Sequence, residues 1–298
     1  MDDFKIRLQS CYHKLSGSQK KIAEYLLENF EKAAFLTASR LGNLVQVSES
    51  TVIRFANTLG YNGYPELQEE FREILRTRFT AVSCLKESSS FKAARSPDLA
   101  EILNIDLQNL SKTLAEISPD VFEKAVEEII SAPFIYILGL RSAHCLALFL
   151  GFYLEMIGKH VKVIPQGTNS IFEQFTGAGA GDLAIGISFP CYTRQTIEGV
   201  AYAQKKGCRI LALTDTVLSP LAQIADITLT AETNTGSFVE SFVAPLSVIN
   251  ALIIAVGRKE GKQVTERLEQ LEEIWERYRI YYLSSKHDKQ QRVAAEIK

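Results

Sequence analysis

Five short apolar runs, separated by segments of helical periodicity, constrain the fold of this chain more than any other feature. Each run is five to eight residues long and rich in Val, Ile and Leu, which is typical of strands buried on both faces. Strands that alternate with helices form a parallel sheet covered on both sides. The sequence therefore predicts an α/β domain with a five-stranded parallel sheet. The runs are 134–138, 161–165, 182–189, 208–214 and 226–230.

Two of the loops that follow these runs carry hydroxyl side chains beside a helix start. Ser142 follows the first run, and Ser188 and Thr193 follow the third. Ligands of open parallel sheets bind beyond the carboxyl ends of the strands, where the strand order reverses. Hydroxyls and free N–H groups at a helix N-terminus bind anions, commonly phosphate. We therefore predict an anion site here; the alternative is that the three hydroxyls only cap their helices.

The segment 37–60 has the pattern of two short helices joined by a tight turn. Its apolar residues recur at helical spacing, at Leu41, Leu44 and Val45 and then at Val52, Ile53, Phe55 and Leu59. In a helix-turn-helix, polar side chains at the start of the second helix contact phosphates and base edges. The predicted DNA contacts are Ser48, which also caps the helix, and Ser50, Thr51, Arg54 and Asn57. The alternative for Arg54 is an ion pair with Glu49 on a solvated face.

These patterns predict two domains and a tail. We expect a helix-turn-helix domain at 1–79, a linker at 80–97, an α/β domain at 98–283 and a flexible tail at 284–298. The first domain carries 11 Lys and Arg against 10 Asp and Glu, a difference of +1, which is weak compositional support for DNA binding. The helix predicted at 98–117 is apolar nearly all round, so we expect it to pack on its own domain and on a partner chain.

Other classes of protein find little support in the composition. The five cysteines are scattered without a close pair, and the four histidines lie far apart, so we predict neither a disulfide framework nor a metal site. No Walker-type or dinucleotide-binding glycine motif occurs, and no cofactor is expected. The sequence shows no signal peptide and no apolar run long enough to span a membrane. We therefore expect a cytoplasmic protein.

Three segments resemble the RpiR-type bacterial transcription regulators, and the resemblance covers about 3–282. They are SESTVIRFANTLGYNGYPEL (48–67), IYILGLRSA (135–143) and AIGISFPCYTRQTIEGVAYAQKKGCRILALTD (184–215). The resemblance implies an all-α helix-turn-helix domain followed by a SIS-like (sugar isomerase) α/β domain. It also implies that the second domain binds a phosphorylated sugar, which changes the affinity of the first domain for DNA.

The loop after the third strand departs from the family pattern S-x-S-G-x-T. Here it is S-F-P-C-Y-T, so that Pro190 removes a backbone donor and Cys191 adds bulk where a glycine is usual. Arg141 also replaces a common glycine; it would supply a direct positive charge, and the alternative is that it points to solvent. A sugar acid or another small anion is therefore an alternative to the sugar phosphate. The effector site that the resemblance implies comprises Arg141, Ser142, Ser188, Cys191, Tyr192 and Thr193.

The leading hypothesis is a transcriptional regulator that binds double-stranded operator DNA as a homodimer or homotetramer, with half-sites set by its two-fold symmetry. The alternative is a sugar-phosphate isomerase, which needs a general base that moves a proton between adjacent carbons. None of the candidate bases lies in a recognisable catalytic motif, and we predict no catalytic residue. Those candidates are Glu173, Glu198, Glu240, His144 and His160.

Overall fold

The computed structural model describes residues 2–29, 33–78, 99–167, 170–235, 237 and 239–282. The predicted linker (80–97) and tail (284–298) lie outside the described residues. Described helices of the first domain pack around a core that includes Phe4, Phe55 and Phe71. They are α1 (Asp2–Cys11), α2 (Gly17–Glu28), α3 (Ala38–Leu44), α4 (Glu49–Thr58) and α5 (Tyr64–Arg78).

Helix α2 begins with a complete capping box. The Ser16 hydroxyl accepts from the backbone N–H of Gln19, whose side chain accepts from the backbone N–H of Ser16. Both N–H groups would otherwise lack a partner at the helix start. Ser18, a second residue of a type that caps helices, lies inside the first turn and does not cap it.

The predicted helix-turn-helix is present as α3 and α4. Gln46 takes a left-handed conformation with φ 56°, and the Val47 N–H donates to the Gly42 carbonyl at 2.8 Å. This fold-back brings the turn so close to Gly42 that a Cβ there would lie 2.7 Å from the Val47 oxygen. Leu44 and Ile53, which the sequence places on the apolar faces of these helices, are 53% and 39% exposed.

Tyr61 and Tyr64 fix helix α5 to the rest of this domain, as their position after α4 suggests. The Tyr61 hydroxyl donates to Glu70 at 2.7 Å, and the Tyr64 hydroxyl donates to the Leu36 carbonyl at 2.8 Å. Burial raises the pKa of Tyr64 strongly, opposed in part by the charge of Arg72. Both rings are almost fully buried, so core packing accounts for them.

The second domain contains the predicted sheet, with strands in the order β2-β1-β3-β4-β5 and every pairing parallel. Helices α7, α8 and α10 cover one face, and α9 covers the other with two single-turn 3-10 helices. The strands are β1 (Ile135–Gly139), β2 (Val161–Val163), β3 (Leu183–Ile187), β4 (Arg209–Thr214) and β5 (Ile227–Thr230). The helices are α6 (Leu99–Glu116), α7 (Pro119–Ser131), α8 (His144–Met156), α9 (Arg194–Lys205), α10 (Val243–Glu260) and α11 (Lys262–Arg277).

Helix α6 has an unusual distribution of polarity. Its buried residues are polar: Asn109 donates to the Asn234 carbonyl at 2.7 Å, and Thr113 accepts from the Glu232 N–H at 2.9 Å. Five of its apolar residues instead face outward, with exposed fractions between 47% and 77%, while Leu110 is half-buried against the core of the second domain. Hydrogen bonds, rather than an apolar seam, therefore join this helix to the segment after β5. The outward apolar residues are Leu99, Ile102, Leu103, Leu107 and Leu114.

No helix among the described residues is both long enough and apolar enough to cross a membrane.

Candidate functional site

The strand order reverses between β1 and β3, which places two loops side by side. Gly139 at the end of β1 is in register with Ile187 at the end of β3. The chain leaves β1 through residues 140–143 and leaves β3 through residues 188–193. Because paired strands end at the same edge, the structure brings together the two loops that the sequence singled out.

The first loop packs closely against the end of β1. A Cβ on Gly139 would lie 2.8 Å from the Ala143 carbonyl oxygen, so the loop folds directly over the strand end. Arg141 is exposed and takes a left-handed conformation with φ 57°. Its carbonyl accepts from the side chain of Gln166 at 2.7 Å. The Ser142 hydroxyl donates to Oε2 of Glu240 at 3.2 Å, so it is directed toward a side chain rather than a helix end.

The second loop continues β3 by one backbone hydrogen bond, from the Ser188 N–H to the Leu213 carbonyl at 3.1 Å. Ser188 is buried, while Thr193 is half-buried at the N-cap position of α9. The Thr193 hydroxyl makes no capping hydrogen bond there. Because neither Ser142 nor Thr193 makes a capping hydrogen bond, the interpretation of these two residues as simple helix caps is weakened. The N-terminus of α9 lies at the same edge of the sheet as the first loop.

A pair of carboxylates lies beside these loops. Both oxygens of Asp215, directly after β4, accept from the Tyr192 hydroxyl, at 2.8 and 2.9 Å. Burial raises the pKa of Asp215, opposed by hydrogen bonds from Tyr192 and Thr214. Burial also raises the pKa of Glu240, which the Ser142 hydrogen bond lowers and the nearby charge of Asp215 raises further. The site therefore combines hydroxyl groups and a helix start with carboxylates that accept hydrogen bonds.

Asp215 is a site residue that the sequence pattern does not single out, although it directly follows a predicted strand. Of the candidate isomerase bases, Glu240 lies at the site. Glu173 and His160 are exposed, and Glu198 pairs with Arg194 on the outside of α9. The His144 Nδ1 lies 3.0 Å from the Gly139 carbonyl, which is a structural contact at the strand end.

The predicted DNA contacts lie together on the outer surface of α4. Ser48 caps the helix by accepting from the Thr51 N–H at 3.3 Å. Its hydroxyl also lies 2.9 Å from that of Ser50 and 2.8 Å from that of Thr51. The Arg54 Nε donates to the Ser50 carbonyl at 3.2 Å, which directs the guanidinium along the helix toward its N-terminus. Asn57 is exposed one turn further on.

Cys191 is expected to strain the second loop, because its φ of 68° lies in the left-handed region that favours glycine. Cys191→Gly should raise the free energy of unfolding by about 0.5–1 kcal/mol, since glycine adopts this conformation without a steric penalty. The matched substitution Cys145→Gly, in the first turn of helix α8, should instead lower it by roughly 0.3–0.5 kcal/mol. Urea unfolding of both variants measures the difference, and equal losses would contradict the strain.

Comparisons with known proteins agree with the division into a helix-turn-helix domain and an α/β domain. Residues 3–77 match the family model of the helix-turn-helix domain of the rpiR family, and residues 128–255 match the SIS domain model. HexR, a transcriptional regulator of Pseudomonas aeruginosa, is 26% identical over 90% of this chain and 93% of its own. An uncharacterised helix-turn-helix regulator of Caldanaerobacter subterraneus is 27% identical over 92% of this chain and 97% of its own.

Two solved structures are similar to the chain. The sugar isomerase domain of an RpiR transcription factor from Sphaerobacter thermophilus is 30% identical, with a TM-score of 0.57, and covers 58% of this chain and 97% of its own. The Vibrio vulnificus NanR protein, complexed with ManNAc-6P, is 22% identical, with a TM-score of 0.63 over 91% of this chain and 97% of its own. The second similarity concerns the fold.

A helix-turn-helix domain joined to a parallel α/β sensor domain defines a ligand-responsive DNA-binding regulator. The family models divide the chain in the same way, with the DNA-binding domain first and the SIS domain second. The chain belongs to the RpiR family of transcriptional regulators. The predicted fold class is confirmed.

Proposed function

We propose that the SIS domain of this regulator binds a sugar phosphate or a closely related sugar acid at the β1–β3 switch point. The observation that carries the proposal is the meeting of the two loops at one sheet edge, beside the α9 N-terminus. Ser188, Thr193 and the α9 N–H groups would hold the anion. Arg141 would add charge, and Cys191 and Tyr192 would complete the wall of the site.

The carboxylates suggest how the rest of the effector is bound. Asp215 and Glu240 both accept hydrogen bonds from hydroxyls of this chain, and sugar hydroxyls are chemically equivalent donors. An effector with an anionic end and several hydroxyls therefore matches the site. The solved structure of Vibrio vulnificus NanR, which shares the fold, is a complex with such a molecule, ManNAc-6P.

We propose that the domain responds to this molecule and does not transform it. One observation favours an isomerase: Glu240 lies at the site, and burial raises the pKa of its carboxyl group. One described contact supports a binding role: the Ser142 hydroxyl donates to the Glu240 carboxylate, as a sugar hydroxyl would. Incubation with aldose and ketose 6-phosphates, followed by NMR, should show no interconversion.

The test of the proposed function is thermal unfolding of the full chain with a panel of sugar phosphates, sugar acids and unphosphorylated sugars. A ligand that binds only the folded state raises the unfolding temperature as its concentration exceeds the dissociation constant. Stabilisation by a phosphate or an acid, with none by the matching neutral sugar, supports the anion site. Stabilisation by neutral sugars alone would contradict it.

Arg54→Ala should weaken operator binding by about 5- to 150-fold, the range expected for a side chain that reads a base edge. The operator for this measurement is the duplex that the wild-type protein selects from random sequences. Effector binding should be unchanged, because α4 belongs to a separate core. Arg277→Ala, an exposed arginine of α11, is the matched control. Loss of both activities in Arg54→Ala would point to misfolding instead.

We also propose that α6 pairs the chain with a second copy through its exposed leucines. Five exposed apolar side chains on one helix, outside the core of their own domain, match an interface between subunits. Leu103→Lys with Leu107→Lys should then lower the mass measured by sedimentation toward that of one 33.3 kDa chain. Ile274→Lys, an exposed apolar residue of α11, should leave the mass unchanged. An unaltered mass in the α6 variant would exclude this surface.

Within this proposal, 1–79 is the DNA-binding unit, 98–283 is the sensor and subunit-pairing unit, and 80–97 joins them. The partners are double-stranded operator DNA, a small anionic metabolite and one or three further copies of the chain. Two-fold pairing would present two α4 helices to half-sites that lie about one helical turn of DNA, or a multiple of it, apart.

A further inference from the structure

The turn at residues 33–36 of the DNA-binding domain lies directly against the effector loop of the SIS domain. The ring of Phe35 meets the ring of Tyr192 edge to face, with centroids 5.1 Å apart and an interplanar angle of 89°. The side chain of Gln223 donates to the Phe35 carbonyl, and Leu218 packs against the core of the DNA-binding domain. Segments that follow β3 and β4, both at the effector edge of the sheet, therefore touch this turn.

The same turn is bound firmly to the DNA-binding domain. Helix α5 provides the donors: Tyr64 and Gln68 donate to the Leu36 carbonyl at 2.8 and 2.7 Å, and Arg72 donates to the Ala34 carbonyl at 3.1 Å. Thr37 comes next and caps α3, accepting from the Arg40 N–H at 3.2 Å. The turn that carries Phe35 is thus joined through Thr37 to α3, the first helix of the helix-turn-helix.

Tyr192 also connects this turn to the interior of the effector site. Its ring contacts Phe35, while its hydroxyl donates to both oxygens of Asp215. The residues on either side are Cys191, in a left-handed conformation, and Thr193, at the start of α9. A sugar hydroxyl that donates to Asp215 would compete with the Tyr192 hydroxyl for the same oxygens.

We propose that Tyr192 is a positioning residue that transmits occupancy of the effector site to the DNA-binding domain through its ring contact with Phe35. This inference rests on the proposed function, because it requires an effector at the 188–193 loop. The bound effector takes the hydrogen-bonding oxygens of Asp215 and releases the Tyr192 hydroxyl. The ring then shifts, the Phe35 contact weakens, and the helix-turn-helix is no longer held against the SIS domain.

Hydrogen exchange of the full chain tests this step. The probe is a mixture of glucose, fructose, glucosamine and N-acetylmannosamine 6-phosphates, compared with no addition. In the wild type, we expect slower exchange at 188–193 and faster exchange at 33–44 when the probe is added. The change at 33–44 should be on the order of 2- to 12-fold, the range set by the usual strength of an edge-to-face aromatic pair.

Variants at Phe35 separate coupling from binding. Phe35→Leu should retain the slower exchange at 188–193, but exchange at 33–44 should already be fast and should not change with the probe. Phe35→Tyr keeps an aromatic edge and should restore the response. Phe172→Leu, which removes an edge-to-face contact with Tyr202 elsewhere in the SIS domain, should behave as the wild type.

The outcomes separate the proposed effector site from the proposed coupling through Tyr192. If 188–193 slows in the wild type while 33–44 does not change, the effector site stands and the coupling through Tyr192 is overturned. The coupling is also overturned if Phe35→Leu responds at 33–44 as the wild type does. If neither segment changes in the wild type, binding of these sugar phosphates at the 188–193 loop is excluded, and the coupling fails for them.

Discussion

Ser188→Ala combined with Thr193→Ala should abolish the response to the effector while leaving operator binding intact. A hydrogen bond from a neutral donor to a charged acceptor contributes about 1.5–3 kcal/mol. Loss of two such bonds should weaken effector binding by about 100-fold or more. The DNA-binding surface is formed by another domain with its own core, so affinity for the operator without effector should change little.

The measurement is titration of operator binding against the stabilising member of the ligand panel. Ser247→Ala with Thr265→Ala is the matched control, because these hydroxyls donate to nearby backbone carbonyls away from the site, those of Val243 in α10 and of Gly261 directly before α11. That control should respond as the wild type. A full response in the Ser188 and Thr193 variant would mean that the effector binds elsewhere.

Gly42→Ala should disrupt the helix-turn-helix and abolish operator binding. The added methyl group would lie 2.7 Å from the Val47 oxygen and 3.4 Å from the Glu49 backbone nitrogen. Both atoms belong to the backbone, so the clash is relieved only if α3 and α4 move apart. Such overpacking costs about 1–3 kcal/mol, and it changes the angle at which α4 would enter the major groove.

Calorimetry and operator binding together check this result. The unfolding temperature of the DNA-binding domain should fall, while stabilisation of the SIS domain by its effector should persist. Gly17→Ala is the control in the same domain, since a Cβ at Gly17 has no neighbour within 4 Å. If Gly42→Ala binds the operator as tightly as the wild type, the close approach of the turn is not needed for α4 to read DNA.

The parts of the structure with strong local periodicity could be predicted from the sequence. Each predicted strand overlaps an observed one, because a parallel sheet buried on both faces requires continuous apolar runs. The 3.6-residue pattern and the Ser48 cap likewise located α3 and α4. Local signals were weaker at α1, which was not predicted, and at the start of α2, where Ser16 and Ser18 offer similar caps.

The sequence patterns failed where contacts between residues far apart in the chain determine burial and the composition of the site. Leu44 and Ile53 fit an apolar helical face, yet the fold of the first domain leaves both exposed. Glu240 meets Ser142 although 98 residues separate them, and no local pattern reports such a distance. The same holds for Asp215, which joins the site through Tyr192, and for the contact of Tyr192 with Phe35.

The core of the DNA-binding domain has a consequence for synthesis of the chain on the ribosome. Its buried members run from Phe4 to Phe71, and among the described residues of the SIS domain the core recruits Leu218 alone, as a partly buried neighbour. Because chains emerge from the N-terminus and local contacts form quickly, this domain can fold before the sheet has been translated. Phe35 would then be in place before the 188–193 loop that contacts it has been translated.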